Sequence, residues 1–440
     1  MAMVVKNNIG AKNTLNELDK NNKAAAKDLK KLASGMRING AADDASGYAI
    51  SERMDVQIRG LEQDNQNAQN GSALLKTAEG AISSTVDILR TLKEKVINAA
   101  NDTNTDADRA TIQKELDQAV DQLDDNANVT YNGQQLVDGS QNSTVLDPGT
   151  YTTFANMGLE AGTDAFGTPL VEMNERNGNS LGIHSGDTLS VSYVKNGETT
   201  TYSMQVDEDT TLSDVFNTQS MADIMGMAYN ANNPSYVGID QYGEPVYTPD
   251  GGDAIVYQAK VPGIDGQISG LTFQVIRSDG TVNKTASGKL DQFREVVRAQ
   301  NPSPDNSLTF QVGTRANQSV RIGLTDMRPT ALGLRAADGT TLNIRTQESA
   351  RVAINVLDNA LEKALDEQTK IGSVTSRLGY TSSNITVSSE NTQASKSVIQ
   401  DADMAATMTS YTKNNVLTQA AQSMLAQANQ SSSSVLSLLQ

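Results

Sequence analysis

Residues 54–96 read MDVQIRGLEQDNQNAQNGSALLKTAEGAISSTVDILRTLKEKV, and this stretch decides the fold. Met54, Ile58, Leu61, Ala68, Leu75, Ile82, Val86, Leu89 and Val96 keep a 3.5-residue spacing, with polar Asn65, Ser72, Glu79 and Lys93 in the same register. That period puts one apolar seam along one side of an α-helix and calls for a partner helix along its length. Asp43 or Asp44 can cap the first turn. A helix from there to Ala100 would be roughly 80 Å long at 1.5 Å per residue. An ordinary amphipathic helix lying on a globular core rarely runs so far without a break.

Working outward, Ile112, Leu116, Val120 and Leu123 mark a shorter helix. Ala350, Ile354, Leu357, Leu361, Ala364, Ile371, Leu378 and Ile385 repeat the long spacing near the other end of the chain. All nine prolines fall between Pro148 and Pro329, and all six phenylalanines between Phe154 and Phe310. Proline removes a backbone donor and clashes with the preceding turn, so the two proline-free flanks are free to form long helices. The middle alternates instead. Leu189, Val191 and Tyr193 lead through Asn196-Gly197 to Tyr202, Met204 and Val206, a strong hairpin signal. Leu271, Phe273 and Val275 precede a Ser278-Asp279-Gly280 turn, and Leu308, Phe310 and Val312 lead back through Val320, Ile322 and Leu324. Tyr131-Asn132-Gly133 precedes a short extended piece near Leu136. The predicted fold is α+β: a long coiled-coil-like helical core built from both chain ends, with an inserted β-rich outer domain.

Composition narrows the function. The 440 residues carry a net charge of −17, which disfavours nucleic acid as a partner. There is no cysteine, so disulfides and thiolate chemistry are excluded. No run of eighteen apolar residues suggests a membrane span. The start, MAMVVKNNIGAKN, lacks the apolar core of a cleavable secretory signal, so export would follow another route.

The single histidine, His184, sits in a turn before a hairpin, without a recognisable nucleophile or carboxylate partner. No HExxH is present, and residues 280–289 lack the glycine spacing of a phosphate loop, with Leu290 where its hydroxyl would stand. Asp207-Glu208-Asp209 and Asp124-Asp125 lack the alternating ligands of a calcium loop. No catalytic, cofactor or metal residue is expected, and the chain reads as a non-enzyme built for assembly.

The termini sharpen that expectation. In residues 1–33, Leu15, Leu18, Ala25, Leu29 and Leu32 fit a 3.5-residue stripe with Asn22 in it. Val416, Leu417, Ala420, Ala421, Met424, Leu425 and Ala428 form one modest stripe at the other end. Each large side chain contributes about 1.5–3 kcal/mol when buried, while ordering costs about 1–2 kcal/mol per residue. Such a pair is marginal alone, so ordering and polymerisation are expected to coincide.

These residues carry a specific resemblance. The run Leu32-Ala33-Ser34-Gly35-Met36-Arg37-Ile38-Asn39, followed by Asp43-Asp44-Ala45-Ser46-Gly47 and Thr77-Ala78-Glu79-Gly80-Ala81, resembles the front of bacterial flagellin. Ile399-Gln400-Asp401-Ala402-Asp403-Met404-Ala405, residues 423–430 and Val435-Leu436-Ser437-Leu438-Leu439 are similar to its back. The likeness covers about 140 residues at the front and 135 at the back, in family order.

The resemblance implies a filament subunit for swimming motility, secreted to the extracellular flagellum. Its implied parts are 1–44 with 400–440 lining the filament's inner tube, 45–147 with 305–399 as a helical shell with a hairpin, and 148–304 as a variable outer domain. Polymerisation is expected to rest on Leu15, Leu18, Leu29, Leu32, Val416, Leu417, Met424, Leu425 and Leu436 in the terminal helices. Arg37, Asp43, Asp44, Asp401 and Asp403 are its expected spoke residues. The implied partners are further copies of the chain, the flagellar export apparatus, a flagellin chaperone, the filament cap and the hook–filament junction. A hook–filament junction protein of related terminal sequence is the alternative. An enzymatic flagellin, with a catalytic insert, is disfavoured by the missing HExxH and the lone His184.

Many flagellins are also bound by a host Toll-like receptor. Counting from Glu79-Gly80-Ala81, the family's receptor-facing Arg falls on Thr91, its following Leu on Lys95, and its Glu on Glu115. Arg supplies a rigid fork that Thr lacks, so weak receptor binding is expected.

Overall fold

The computed structural model describes residues 8–160, 167–217, 219–227, 235–249 and 251–437. Its helices are α1 (Ile9–Ser34), α2 (Ala45–Ala99), α3 (Asp106–Ala127), α4 (Leu212–Phe216), α5 (Gln219–Ala222), α6 (Lys284–Leu290), α7 (Gln347–Gln400) and α8 (Met404–Ser437). The strands are β1 (Thr130–Tyr131), β2 (Gln134–Gln135), β3 (Thr153–Asn156), β4 (Thr188–Lys195), β5 (Glu198–Gln205), β6 (Met225–Met227) and β7 (Tyr236–Ile239). They continue with β8 (Pro245–Tyr247), β9 (Ile255–Ala259), β10 (Ile268–Ile276), β11 (Arg294–Val297), β12 (Leu308–Gln311) and β13 (Ser319–Ile322). The chain divides into two compact units, one of residues 1–68, 311–318 and 380–440, the other of residues 69–310 and 319–379.

In the first unit α1 begins at Asn8, whose side chain accepts from the Ala11 amide at 2.9 Å. It ends at Gly35, whose φ of 72° is the left-handed conformation that lets its N–H return to the Lys31 carbonyl. Asp44, rather than Asp43, caps α2: its Oδ1 accepts from the Ser46 and Gly47 amides at 3.1 and 3.0 Å. The front of α2 runs beside the back of α7. Asp55 pairs with Lys396, Ser382 donates to Asn65, and Ile58, Leu61 and Ile385 are buried. The turn 311–318 also lies on α2. Asn67 donates to the Gln311 carbonyl at 3.2 Å, and a Cβ on Gly60 would come within 2.7 Å of Thr314.

In the second unit the seam predicted from residues 68 onward is filled as its period requires. Leu75, Ile82, Val86, Leu89 and Val96 of α2, Leu116, Val120 and Leu123 of α3, and Leu357, Ala364, Ile371 and Leu378 of α7 are all buried. Thr105 and Asp108 form a reciprocal cap at the start of α3. β1 and β2 turn through Asn132 and Gly133, both with positive φ, and β12 pairs with β13.

The middle of the chain is β-rich, as its alternation predicts. One sheet has the order β10-β4-β5 and another the order β11-β3-β9-β6. β4 and β5 are in register from Thr188 opposite Gln205 to Lys195 opposite Glu198, closed by Asn196 and Gly197 with φ of 52° and 73°. Phe154, Phe216, Tyr257, Phe273 and Phe293 are buried in its core, with Phe216 stacked on Tyr257 at 3.6 Å between ring centres. The β10 backbone lies close against α7: a Cβ at Gly270 would meet Val356 at 2.7 Å, and Asn359 donates to the Ser269 carbonyl at 2.9 Å.

Candidate functional site

The terminal helices α1 and α8 pair antiparallel, and the residues that face each other are not the full stripes read from the sequence. Asn8 donates to the Ala428 carbonyl at 3.1 Å, Asn414 to Asp28 at 2.8 Å, and Met36 bridges to Asp401. On α1 the half-buried positions are Ala11, Thr14, Leu18, Asn21, Ala24, Ala25, Asp28, Lys31 and Leu32, and within them Ala11, Thr14, Leu18, Asn21, Ala25, Asp28 and Leu32 alternate by three and four. On α8 they are Thr407, Tyr411, Asn414, Thr418, Leu425 and Ala428, with Ala421 buried. The seam is therefore a coiled coil with polar groups at about half its positions.

The structure splits each terminal stripe into two rows. Leu18, Leu32 and Leu425 lie in the seam, whereas Leu15, Leu29, Val416, Leu417 and Met424 point outward, at 52%, 51%, 59%, 40% and 64% exposure. A 3.5-residue spacing is met equally by two adjacent rows, and the apolar residues alone could not say which row faces the partner. Thr14, Asn21, Asp28 and Asn414 were missed because polar residues do not register in an apolar count. Their three-and-four spacing was the available signal. The side chain of Leu436 lies outside the described residues.

The spoke residues converge between α1 and α2. Arg37 donates from its backbone to the Gln400 carbonyl at 2.7 Å and from Nη2 to the Ile399 carbonyl at 2.6 Å, while Ala402 donates to the Gly35 carbonyl at 2.9 Å. Ile38 is buried against Gly47, where a Cβ would come within 2.6 Å of its Cδ1. Asp43 accepts from the Asn39 amide at 3.2 Å and lies 3.3 Å from Lys27. The backbone hydrogen bond first, then Lys27, holds its carboxyl below the usual range. Asp401 accepts from Ser397, and Asp403 caps α8 by accepting from the Ala405 and Ala406 amides. The segment thus locks the two ends of the chain together through backbone atoms that any side chain supplies and a few carboxylates that end or begin helices.

On α2, Thr91 is exposed and returns its hydroxyl to the Asp87 carbonyl, while Lys95, one turn on, reaches Glu115 of α3. His184 is exposed in its turn. Among the described residues no group of three or more His, Cys, Asp or Glu is placed to hold a metal, and no helix is long and apolar enough to cross a membrane.

Ends knitted into an antiparallel pair, apolar side chains left outward along it, and a β-rich middle define a self-associating structural subunit. Residues 5–142 match the bacterial flagellin N-terminal helical region and residues 354–439 the bacterial flagellin C-terminal helical region. The chain is 33% identical to a flagellin of Clostridium tyrobutyricum over 97% of its own length and 99% of that protein's. It is 28% identical to a flagellin of Bacillus subtilis over 99% and 100%. A solved structure of flagellar hook associated protein-3 from Legionella pneumophila covers 78% of this chain and 97% of its own, at 14% identity and a TM-score of 0.33, too low to bear on function. The chain belongs to the bacterial flagellin family. It is a structural protein, a subunit of the flagellar filament.

Proposed function

We propose that the subunit polymerises by covering the outward rows of α1 and α8 with other faces of the terminal helices of neighbouring copies. The observation that carries this is the split of the terminal stripes. The seam between α1 and α8 is mostly small or polar, while Leu15, Leu29, Val416, Leu417 and Met424 remain exposed. Burying such side chains contributes about 1.5–3 kcal/mol each, and a repeated head-to-tail contact that does not close a ring grows a helical filament. In this reading residues 1–44 with 400–440 line the inner tube, 45–147 with 305–399 form the shell, and 148–304 face outward. Arg37, Asp43, Asp44, Asp401 and Asp403 set the direction in which the terminal pair leaves the spoke. The subunit leaves the cell through the flagellar export apparatus, escorted by a chaperone on its C-terminal helix, and is placed beneath a cap beyond the hook–filament junction.

The test is a pair of charge substitutions on the outward row, Leu29→Asp and Met424→Asp, followed by electron microscopy of seeded growth. Monomer helicity should be unchanged, because neither side chain lies in the seam, and micrometre filaments should be lost. Filaments of normal length from the double variant would reject the proposed contact.

A further inference from the structure

The described methionines differ sharply in environment. Met173, Met221, Met225 and Met327 are buried, while Met157 and Met204 are half-buried. The exposed ones are Met404, Met408 and Met424, at 48%, 51% and 64%, and all three belong to α8. Met408 directly follows the seam residue Thr407, and Met424 directly precedes the seam residue Leu425. In a row that alternates by three and four, those two positions flank the seam on opposite sides. Met404 opens the helix one turn before Met408. None of the three sulfurs is needed to hold α8 against α1.

A thioether makes a good apolar contact, and it is also a side chain whose polarity an oxidant reverses. A hydroperoxide transfers its outer oxygen to the sulfur. An electron pair of the sulfur forms the S–O bond, the O–O bond breaks, and the remaining oxygen takes up the proton and leaves as an alcohol, or as water from hydrogen peroxide. The sulfur is oxidised and the peroxide reduced. The product is a polar sulfoxide, which is costly to bury unless a donor meets it.

We propose that Met404, Met408 and Met424 form an oxidation site that controls entry of the subunit into the filament. A hydroperoxide converts them to sulfoxides in the free subunit, sulfoxidised copies are refused by the growing end, and assembled copies are shielded. This rests on the terminal-helix contact proposed above, which would bury both flanks of α8. The seam stays apart from the chemistry, so the oxidised subunit keeps its fold and loses only its outer apolar faces.

The experiment oxidises the full-length monomer with hydrogen peroxide to about one sulfoxide per chain, removes the peroxide and seeds growth. Peptide mass spectrometry then reads each methionine in the pelleted filaments and in the supernatant. Sulfoxide at Met408 and Met424 should be about tenfold depleted in the filaments, whereas sulfoxide at Met157 and Met204 should divide evenly. Preformed filaments should oxidise at Met408 and Met424 about tenfold more slowly than the monomer. Methionine sulfoxide reductases of both stereospecificities should return the excluded fraction to growth. Even partition of the α8 sulfoxides, or equal oxidation of monomer and filament at those residues, overturns the proposal. Loss of helicity in the oxidised monomer overturns it too, because the effect would then lie in the fold. Failure of the underlying contact reads differently. If Leu29→Asp with Met424→Asp abolishes filaments while the sulfoxides divide evenly, the contact stands and the oxidation site falls.

Discussion

Nζ of Lys95 lies 2.9 Å from Oε1 of Glu115, so this cation of α2 is engaged by the carboxylate of α3. Both side chains are partly exposed, and such pairs contribute little to stability. Their interest lies in what they occupy. The Glu expected to face a Toll-like receptor already holds a lysine, and Thr91, one turn before Lys95, turns its hydroxyl back to its own helix.

The double substitution Thr91→Arg with Lys95→Leu is expected to strengthen receptor activation. It frees Glu115, restores an apolar contact and supplies a guanidinium fork. A hot-spot gain of about 2 kcal/mol corresponds to roughly thirtyfold in affinity. Dose–response in a receptor-reporter cell checks it: weak signalling from the unmodified monomer, and a curve displaced to lower concentration for the double variant. Strong signalling by the unmodified chain would contradict the expectation.

Capping offers a local measurement. Asp44 and Asp403 each accept from two backbone amides at the start of a long helix. Asp44→Ala and Asp403→Ala should each cost about 1 kcal/mol locally. Hydrogen exchange should speed at Ser46 and Gly47 in the first variant, and at Ala405 and Ala406 in the second. Asp43→Ala should leave all four amides as they are, since Asp43 accepts from Asn39 instead.

The pH dependence of stability should carry the mark of two buried acids. Burial raises Glu295 to about 7 and Asp291 to about 6, the latter partly offset by hydrogen bonds from the Phe273 amide and Asn355. The folded state therefore binds protons more tightly than the unfolded state. Their stabilising contribution is fully present below the ordinary values of 3.8 and 4.5, and it is lost as pH rises from there through about 6 for Asp291 and about 7 for Glu295. Glu295→Gln should flatten the upper part of that decline and raise stability above it by about 1–2 kcal/mol. Urea unfolding of the monomer at a series of pH values is the measurement. An unchanged slope would show that Glu295 does not titrate there.

The outer region should be removable. Val145 and Ser303 exchange backbone hydrogen bonds at 2.9 and 3.1 Å, and Thr150 bridges to Gln300, so the chain enters and leaves this region side by side. Paired residues of this kind are about 4.5–5.5 Å apart between Cα atoms, a gap that a short flexible link closes. Deleting residues 146–302 should leave a helical subunit that still assembles. Loss of all filaments, with helicity intact by circular dichroism, would place essential contacts in the removed part.

Much of this molecule was legible in one dimension. The 3.5-residue rows from Met54 to Val96 and from Ala350 to Ile385, with every proline confined between them, specified α2 and α7, because helix period and proline exclusion act through near neighbours. Asn196-Gly197 specified its hairpin for the same reason: only a few residues tolerate positive φ at both turn positions. The terminal helices were different. Leu15 and Leu18, or Leu425 and Met424, satisfy nearly the same spacing, and which of them meets the partner helix depends on the rotation at which two helices pack. That rotation was decided by contacts hundreds of residues apart, such as Asp28 with Asn414 and Met36 with Asp401. Glu295 belongs to the same category. In sequence it is one acid among 52, and it becomes exceptional only when β11 and α7 enclose it without a hydrogen-bond donor for one oxygen. Short-range pattern set the elements; the facing rows and the unpaired carboxylate follow from burial, which is a property of the packed chain.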